Sequence, residues 1–104
     1  MERFFKLPRY AFSRHMLEHA PEEAGIYGLF DGNELIYLGR ASDRAGSIKA
    51  CLLAHQDGAR GECTMRAATY TWEITLWPAE REAAVLAQFR ASHQREPRCQ
   101  AKAA

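Results

Sequence analysis

The chain lacks any stretch long and apolar enough to span a bilayer. Its first residues, Met1 to Lys6, show no apolar run of the signal-peptide kind. A cytoplasmic protein with no membrane partner is the expectation. Cysteine is scarce: only Cys51, Cys63 and Cys99, an odd number at wide spacings. No CxxC and no Cys/His pair has zinc-ligand spacing, which excludes a ribbon or finger and predicts reduced, unpaired thiols. There is no internal repeat and no low-complexity block. Net charge is +1, so overall charge does not point to a nucleic-acid partner.

What is present is an ordinary globular balance, 47% hydrophobic and 26% charged over 104 residues, enough for one domain with a modest core. The charge is unevenly spread. Residues 1–14 carry four basic and one acidic side chain, residues 15–80 five and ten, and residues 81–104 five and two. Two basic ends flank an acidic middle. If the ends meet in space they form a modest phosphate-binding face; otherwise they are solvated surface.

Residues 1–24 read as an N-terminal extension, extended at first, with a short helix from about Ser13 to His19 that Ser13 caps and Pro21 follows. Gly25 to Phe30 reads as a strand, Asp31-Gly32-Asn33 as a three-residue turn, and Glu34 to Gly39 as the return strand. In that register Phe30 faces Glu34 and Tyr27 falls directly opposite Tyr37, on one face of the sheet. Ser47 caps a helix to about Gln56, with an apolar stripe at Ile48, Cys51, Leu52 and His55. Residues 57–67 read as loop and Ala68 to Trp77 as a third strand. Pro78 opens a last helix to about His93. The order is α-β-β-α-β-α. It predicts an α+β domain over residues 25–100, with helices on a small, mostly antiparallel three-stranded sheet and a disordered tail at 101–104.

Glu82 is the most informative residue. Val85, Leu86 and Phe89 lie three, four and seven positions on, so Glu82 stands at the head of a buried helical face, where a carboxylate needs a partner. The ordinary reading is a first-turn glutamate favoured by the helix dipole. Paired hairpin tyrosines usually pack, and a histidine on an apolar stripe is usually structural.

Taken in order, these elements resemble the GIY-YIG nucleases. Gly25-Ile26-Tyr27 matches the first motif, and Tyr37-Leu38-Gly39, ten residues on, matches the second with Leu for the usual Ile. Arg40-Ala41 follows as Lys/Arg-Ala often does there. Leu52 to His55 looks like that family's Arg-Leu-x-x-His helix. Glu82 with Ala83, Leu86 and Pro97 is similar to its closing helix and Pro-x-x-Asn.

The resemblance implies a metal-dependent endonuclease that hydrolyses phosphodiester bonds of DNA with low sequence specificity, targeted by a protein partner if at all. It implies that Tyr27 helps activate water, that Tyr37 orients water or phosphate, and that His55 is a donor or proton carrier. Glu82 would be the sole protein ligand of Mg²⁺ or Mn²⁺. Gly25, Gly39 and Gln100 take structural roles. Arg40, Arg44 and Lys49 are the candidate phosphate-binding cations. The chain departs from that family at Cys51, where the phosphate-gripping arginine stands, and at Gln100, where Asn is usual. A thiol offers no bidentate cationic donor, so Cys51 implies a weakened nuclease. The alternative is a catalytically inactive fold that binds nucleic acid or protein. A redox or small-molecule domain built on Cys51 has only the thiols behind it.

Overall fold

The computed structural model describes residues 2–42 and 46–101. After a 3-10 turn at Arg3–Lys6, the elements run β1 (Tyr10–Ala11), α1 (Arg14–Leu17), β2 (Gly25–Asp31), β3 (Glu34–Ala41), α2 (Ile48–Gln56), α3 (Glu62–Met65), β4 (Thr69–Ile74) and α4 (Pro78–His93). The domain is α+β. Its sheet has four strands rather than three, all antiparallel, in the order β1-β4-β2-β3. The added strand comes from the N-terminal extension, where Tyr10 pairs with Tyr70 and Ala11 with Thr69. Two residues flanked by Pro8 carry too little alternation to be read as a strand. Helix α3 was likewise hidden in an expected loop, four residues being too few for a helical period.

The hairpin reaches its expected outcome by a different route. Its loop is two residues, with Asp31 paired to Glu34 and Phe30 to Leu35, and Gly32 takes the left-handed φ of 61° that such a turn requires. That register alone would put the tyrosines on opposite faces. The ladder then slips, so that Leu29 pairs with Tyr37 and Tyr27 with Gly39. Ile36 is the extra residue, a β-bulge. The slip restores Tyr27 and Tyr37 to one face as diagonal neighbours, not as an opposed pair.

Each face of the sheet buries its own cluster. Tyr27, Leu29 and Tyr70 pack with Leu17 of α1 and with Ile48, Cys51 and Leu52 of α2. Ile26, Phe30 and Leu38 pack with Phe4 of the 3-10 turn and with Val85 and Phe89 of α4. The C-terminal segment runs back along β3. The Cys99 amide donates to the Ile36 carbonyl at 2.8 Å. The Gln100 amide accepts from Leu38 N at 3.0 Å and donates to Leu38 O at 2.6 Å. One side chain thus completes the edge of β3 as a neighbouring strand would.

The same segment corrects the expectation of three thiols. Cys63 of α3 and Cys99 form a disulfide, 36 residues apart in sequence. Their spacing carries no sign of it, because only the folded-back segment brings Cys99 beneath α3. Among the described residues Cys51 alone stays outside a disulfide. No helix among them is long and apolar enough to cross a membrane.

Candidate active site

Tyr27, Tyr37 and His55 are brought together. The Tyr27 and Tyr37 ring centroids are 6.1 Å apart, and the Tyr37 and His55 centroids 4.7 Å. The Tyr27 hydroxyl lies 3.0 Å from His55 Nε2, and His55 Nδ1 lies 2.8 Å from Thr64 Oγ1. With Nδ1–H donated to Thr64, Nε2 accepts from the Tyr27 O–H, and every polar atom of the buried line is satisfied.

Two glycines make the cluster fit. A Cβ on Gly39 would lie 2.4 Å from Tyr27 Cζ and from its hydroxyl oxygen, because the Tyr27 ring crosses that glycine. A Cβ on Gly25 would lie 2.1 Å from the Glu73 carbonyl oxygen. The structural roles expected for both residues therefore have a steric cause.

Burial sets the chemistry. His55 and Tyr27 are 0% and 1% exposed, while Tyr37 is only half-buried. Burial lowers the His55 pKa from 6.5 to about 4, with the field of Arg60 adding to it, so the imidazole is neutral at pH 7. Burial, and then the neighbouring Tyr37, push the Tyr27 pKa far up, so Tyr27 acts as a phenol and not as a phenolate. Burial also raises Tyr37, against the field of Arg60.

Glu82 comes from the first turns of α4, on the other face of the sheet, yet its charge still reaches Tyr37. Its neighbour Arg81 fixes the helix there. Arg81 donates to both oxygens of Glu2, at 2.6 and 2.9 Å, and to both of Glu73, at 2.6 and 3.1 Å. The Arg81 guanidinium holds the Glu2 carboxyl at about 2. Glu82 itself is held loosely. Its Oε1 lies 3.7 Å from Arg40 Nη1, with side chains 21% and 52% exposed. That is too long for a hydrogen bond, so the carboxylate is not sealed. Burial raises the Glu82 pKa, and Arg40 opposes it only in part. A carboxylate penalised by desolvation at an open position suits a second cation. Among the described residues no group of three or more His, Cys, Asp or Glu side chains forms a metal cage. Glu82 would be a single anchor of the kind Mg²⁺ uses when phosphate and water complete its shell.

The expected phosphate-binding cations fare unequally. Arg40 is at the site. Lys49 lies about 200° around α2 from Cys51 and so faces away from the cluster. Arg44 lies outside the described residues. Cys51 is 2% exposed in the core, its Sγ 3.7 Å from the Gly46 carbonyl oxygen.

Sequence reasoning missed Thr64 and Arg60. Thr64 belongs to the overlooked helix α3 and has no signal of its own. Arg60 had one: it stands between Gly58 and Gly61, both at positive φ (83° and 98°), a bracket that turns the chain sharply around a single cation. The Ala59 amide donates to the Ala54 carbonyl at 3.0 Å, folding this loop back over the last turn of α2, where His55 lies. From there the charge of Arg60 acts on Tyr27, Tyr37, Cys51 and His55.

No protein-family model, curated protein or solved structure matches the chain.

Proposed function

We propose that this domain is a GIY-YIG-like endonuclease that hydrolyses DNA phosphodiester bonds with a divalent metal. The observation that carries the reading is the line Tyr37–Tyr27–His55–Thr64, running from a half-exposed phenol to a buried neutral imidazole, with the under-compensated Glu82 carboxylate in electrical reach. Tyr37 is the phenol a substrate can touch, and its O–H would orient the phosphate or the attacking water. Tyr27 passes a proton between that position and His55 Nε2, while Thr64 fixes the tautomer. With its pKa near 4, the imidazole takes a proton only transiently and returns it. Mg²⁺ or Mn²⁺ at Glu82 would stabilise charge on the leaving oxygen. Arg60, rather than the helix position held by Cys51, supplies positive field beside the aromatic cluster.

Low sequence specificity is expected, with targeting left to a protein partner. The deciding experiment incubates the protein with branched, nicked and plasmid DNA plus Mg²⁺ or Mn²⁺. Cleavage lost in Glu82→Ala supports the proposal; uncut DNA under every condition sinks it. The burial of Tyr27 and His55 favours a second reading, a non-catalytic module that binds nucleic acid or protein with Tyr37 and Arg40. DNA binding without cleavage, unchanged in Glu82→Ala, would select it.

A further inference from the structure

The face of the sheet away from the tyrosines holds a feature that the nuclease reading does not use. Between the 3-10 turn, the tip of the β2–β3 hairpin and the C-terminal half of α4 lies a cavity of about 540 Å³. That is the size of small-molecule sites, which pair an apolar lining with a few placed polar groups. Its lining includes Phe5, Phe30, Leu35 and Phe89, with Arg9, Glu34 and His93 among the polar residues. Phe30 and Phe89 are core residues, so the floor is aromatic and fixed.

Two guanidiniums stand over that floor. The Arg9 carbon is 3.9 Å from the Phe30 ring centroid, and the Arg95 carbon 5.4 Å from that of Phe89. His93 stacks on Phe89 at 4.2 Å and 14°. The carboxylates nearby are already engaged: Arg98 binds Asp31 at 2.7 Å and Glu34 at 3.0 Å, and Arg95 shares Glu34 at 3.6 Å. Among the described residues Arg9 donates only to neutral acceptors, the Gly32 carbonyl at 3.3 Å and Asn33 Oδ1 at 3.4 Å, both long. Three guanidiniums thus face two carboxylates, and the surplus positive charge sits where Arg9 meets the aromatic floor.

We propose that this cavity binds a small, flat aromatic anion, a ring bearing a carboxylate or a phosphate. The ring lies over this floor, between Phe5 and the Arg9 and His93 side chains that cover Phe30 and Phe89, and the anionic group meets Arg9 as a charge-assisted acceptor. The cavity is independent of the proposed nuclease site, since Phe89 stands seven residues along α4 from Glu82.

The test is a titration of the intact protein followed by amide NMR shifts. The probes are indole-3-carboxylate and adenosine 5′-monophosphate, with neutral indole and inorganic phosphate as controls. Saturable shifts confined to residues of this cavity are expected with one or both ring-bearing anions, and the stronger of the two identifies the anionic group. Arg9→Ala, which removes a half-buried cation but no core side chain, should weaken binding about tenfold. Ser92→Trp, which fills the cavity from α4, should abolish it. No shift with either anion up to about 10 mM overturns the proposal. So does indole binding as tightly as its carboxylate, or affinity unchanged in both variants.

Discussion

The phenol oxygen of Tyr27 lies 3.0 Å from Nε2 of His55, and neither side chain is more than 1% exposed. A neutral imidazole sealed in this way makes stability depend on pH. The folded pKa of His55 is about 4, below its ordinary 6.5, so as pH falls the unfolded chain takes up the proton first. The contribution of His55 is fully present above pH 6.5 and is lost progressively as pH falls to about 4, amounting to about 3 kcal/mol. Urea midpoints for wild type should slope through this window, and His55→Gln should flatten that slope above about pH 5, where few carboxylates titrate. Parallel slopes would show that the histidine is not buried in its neutral form.

Gly39 is expected to tolerate no side chain. In Gly39→Ala the new Cβ meets the Tyr27 ring at 2.4 Å and Tyr37 Cε2 at 2.8 Å. Neither ring can retreat without disturbing its packing, so a loss of about 1–3 kcal/mol in urea unfolding is expected. Adding Tyr27→Ala removes the obstacle, so the double variant should lose less than the two single losses together. Strict additivity would mean that the close approach is not real.

Gln100 should behave as a strand edge carried on one side chain. Gln100→Ala removes both hydrogen bonds to Leu38 and should cost about 1–3 kcal/mol. Hydrogen exchange at the Leu38 amide should accelerate, whereas Gln100→Glu keeps the acceptor but not the donor and should lie between. An unchanged Leu38 exchange rate in Gln100→Ala would remove the amide from the edge of β3.

Arg60 is expected to matter to the aromatic cluster whether or not DNA is cut. Its charge lowers the His55 pKa, second to burial, so Arg60→Ala should raise that pKa part of the way back. NMR titration of the imidazole reads this directly, and an unmoved pKa would place Arg60 outside the site. On a cleavable substrate the same variant should lose about 100-fold in rate, as the loss of a transition-state donor commonly does. Cys51→Arg should not compensate. Cys51 is 2% exposed between Ile48 and Leu52, so an arginine there would unfold the domain before it reached phosphate.

The hairpin, the Ser47-capped helix α2, and α4 opening at Pro78 were legible because periodicity, caps and turn residues are local signals. The same signals put His55 on the stripe that meets the tyrosines. They also put Glu82 at the head of a buried face. What stayed hidden is non-local or too short to have a period. β1 exists only because β4 offers Tyr70 and Thr69 as partners. α3 is four residues long, and with it went Thr64 and one half of the disulfide. The edge role of Gln100 depends on a chain reversal that no spacing reveals. The loop length is not legible because Asn33 suits either a two- or a three-residue turn, and the bulge at Ile36 leaves no mark among its apolar neighbours.

That bulge gives the hairpin slack. Strand side chains alternate by paired position, so the face on which Tyr37 emerges is set by its pairing with Leu29 and not by the raw count of residues from Phe30. Six intervene between Phe30 and Tyr37, and Ile36 absorbs the mismatch with the two-residue turn. A deletion of Ile36 alone would make the ladder regular and leave Tyr37 opposite Leu29, on the side of His55, and inserting a pair of residues at the turn would also leave it in place. The face of Tyr37 therefore follows its pairing with Leu29, and the bulge is slack that a single deletion can take up.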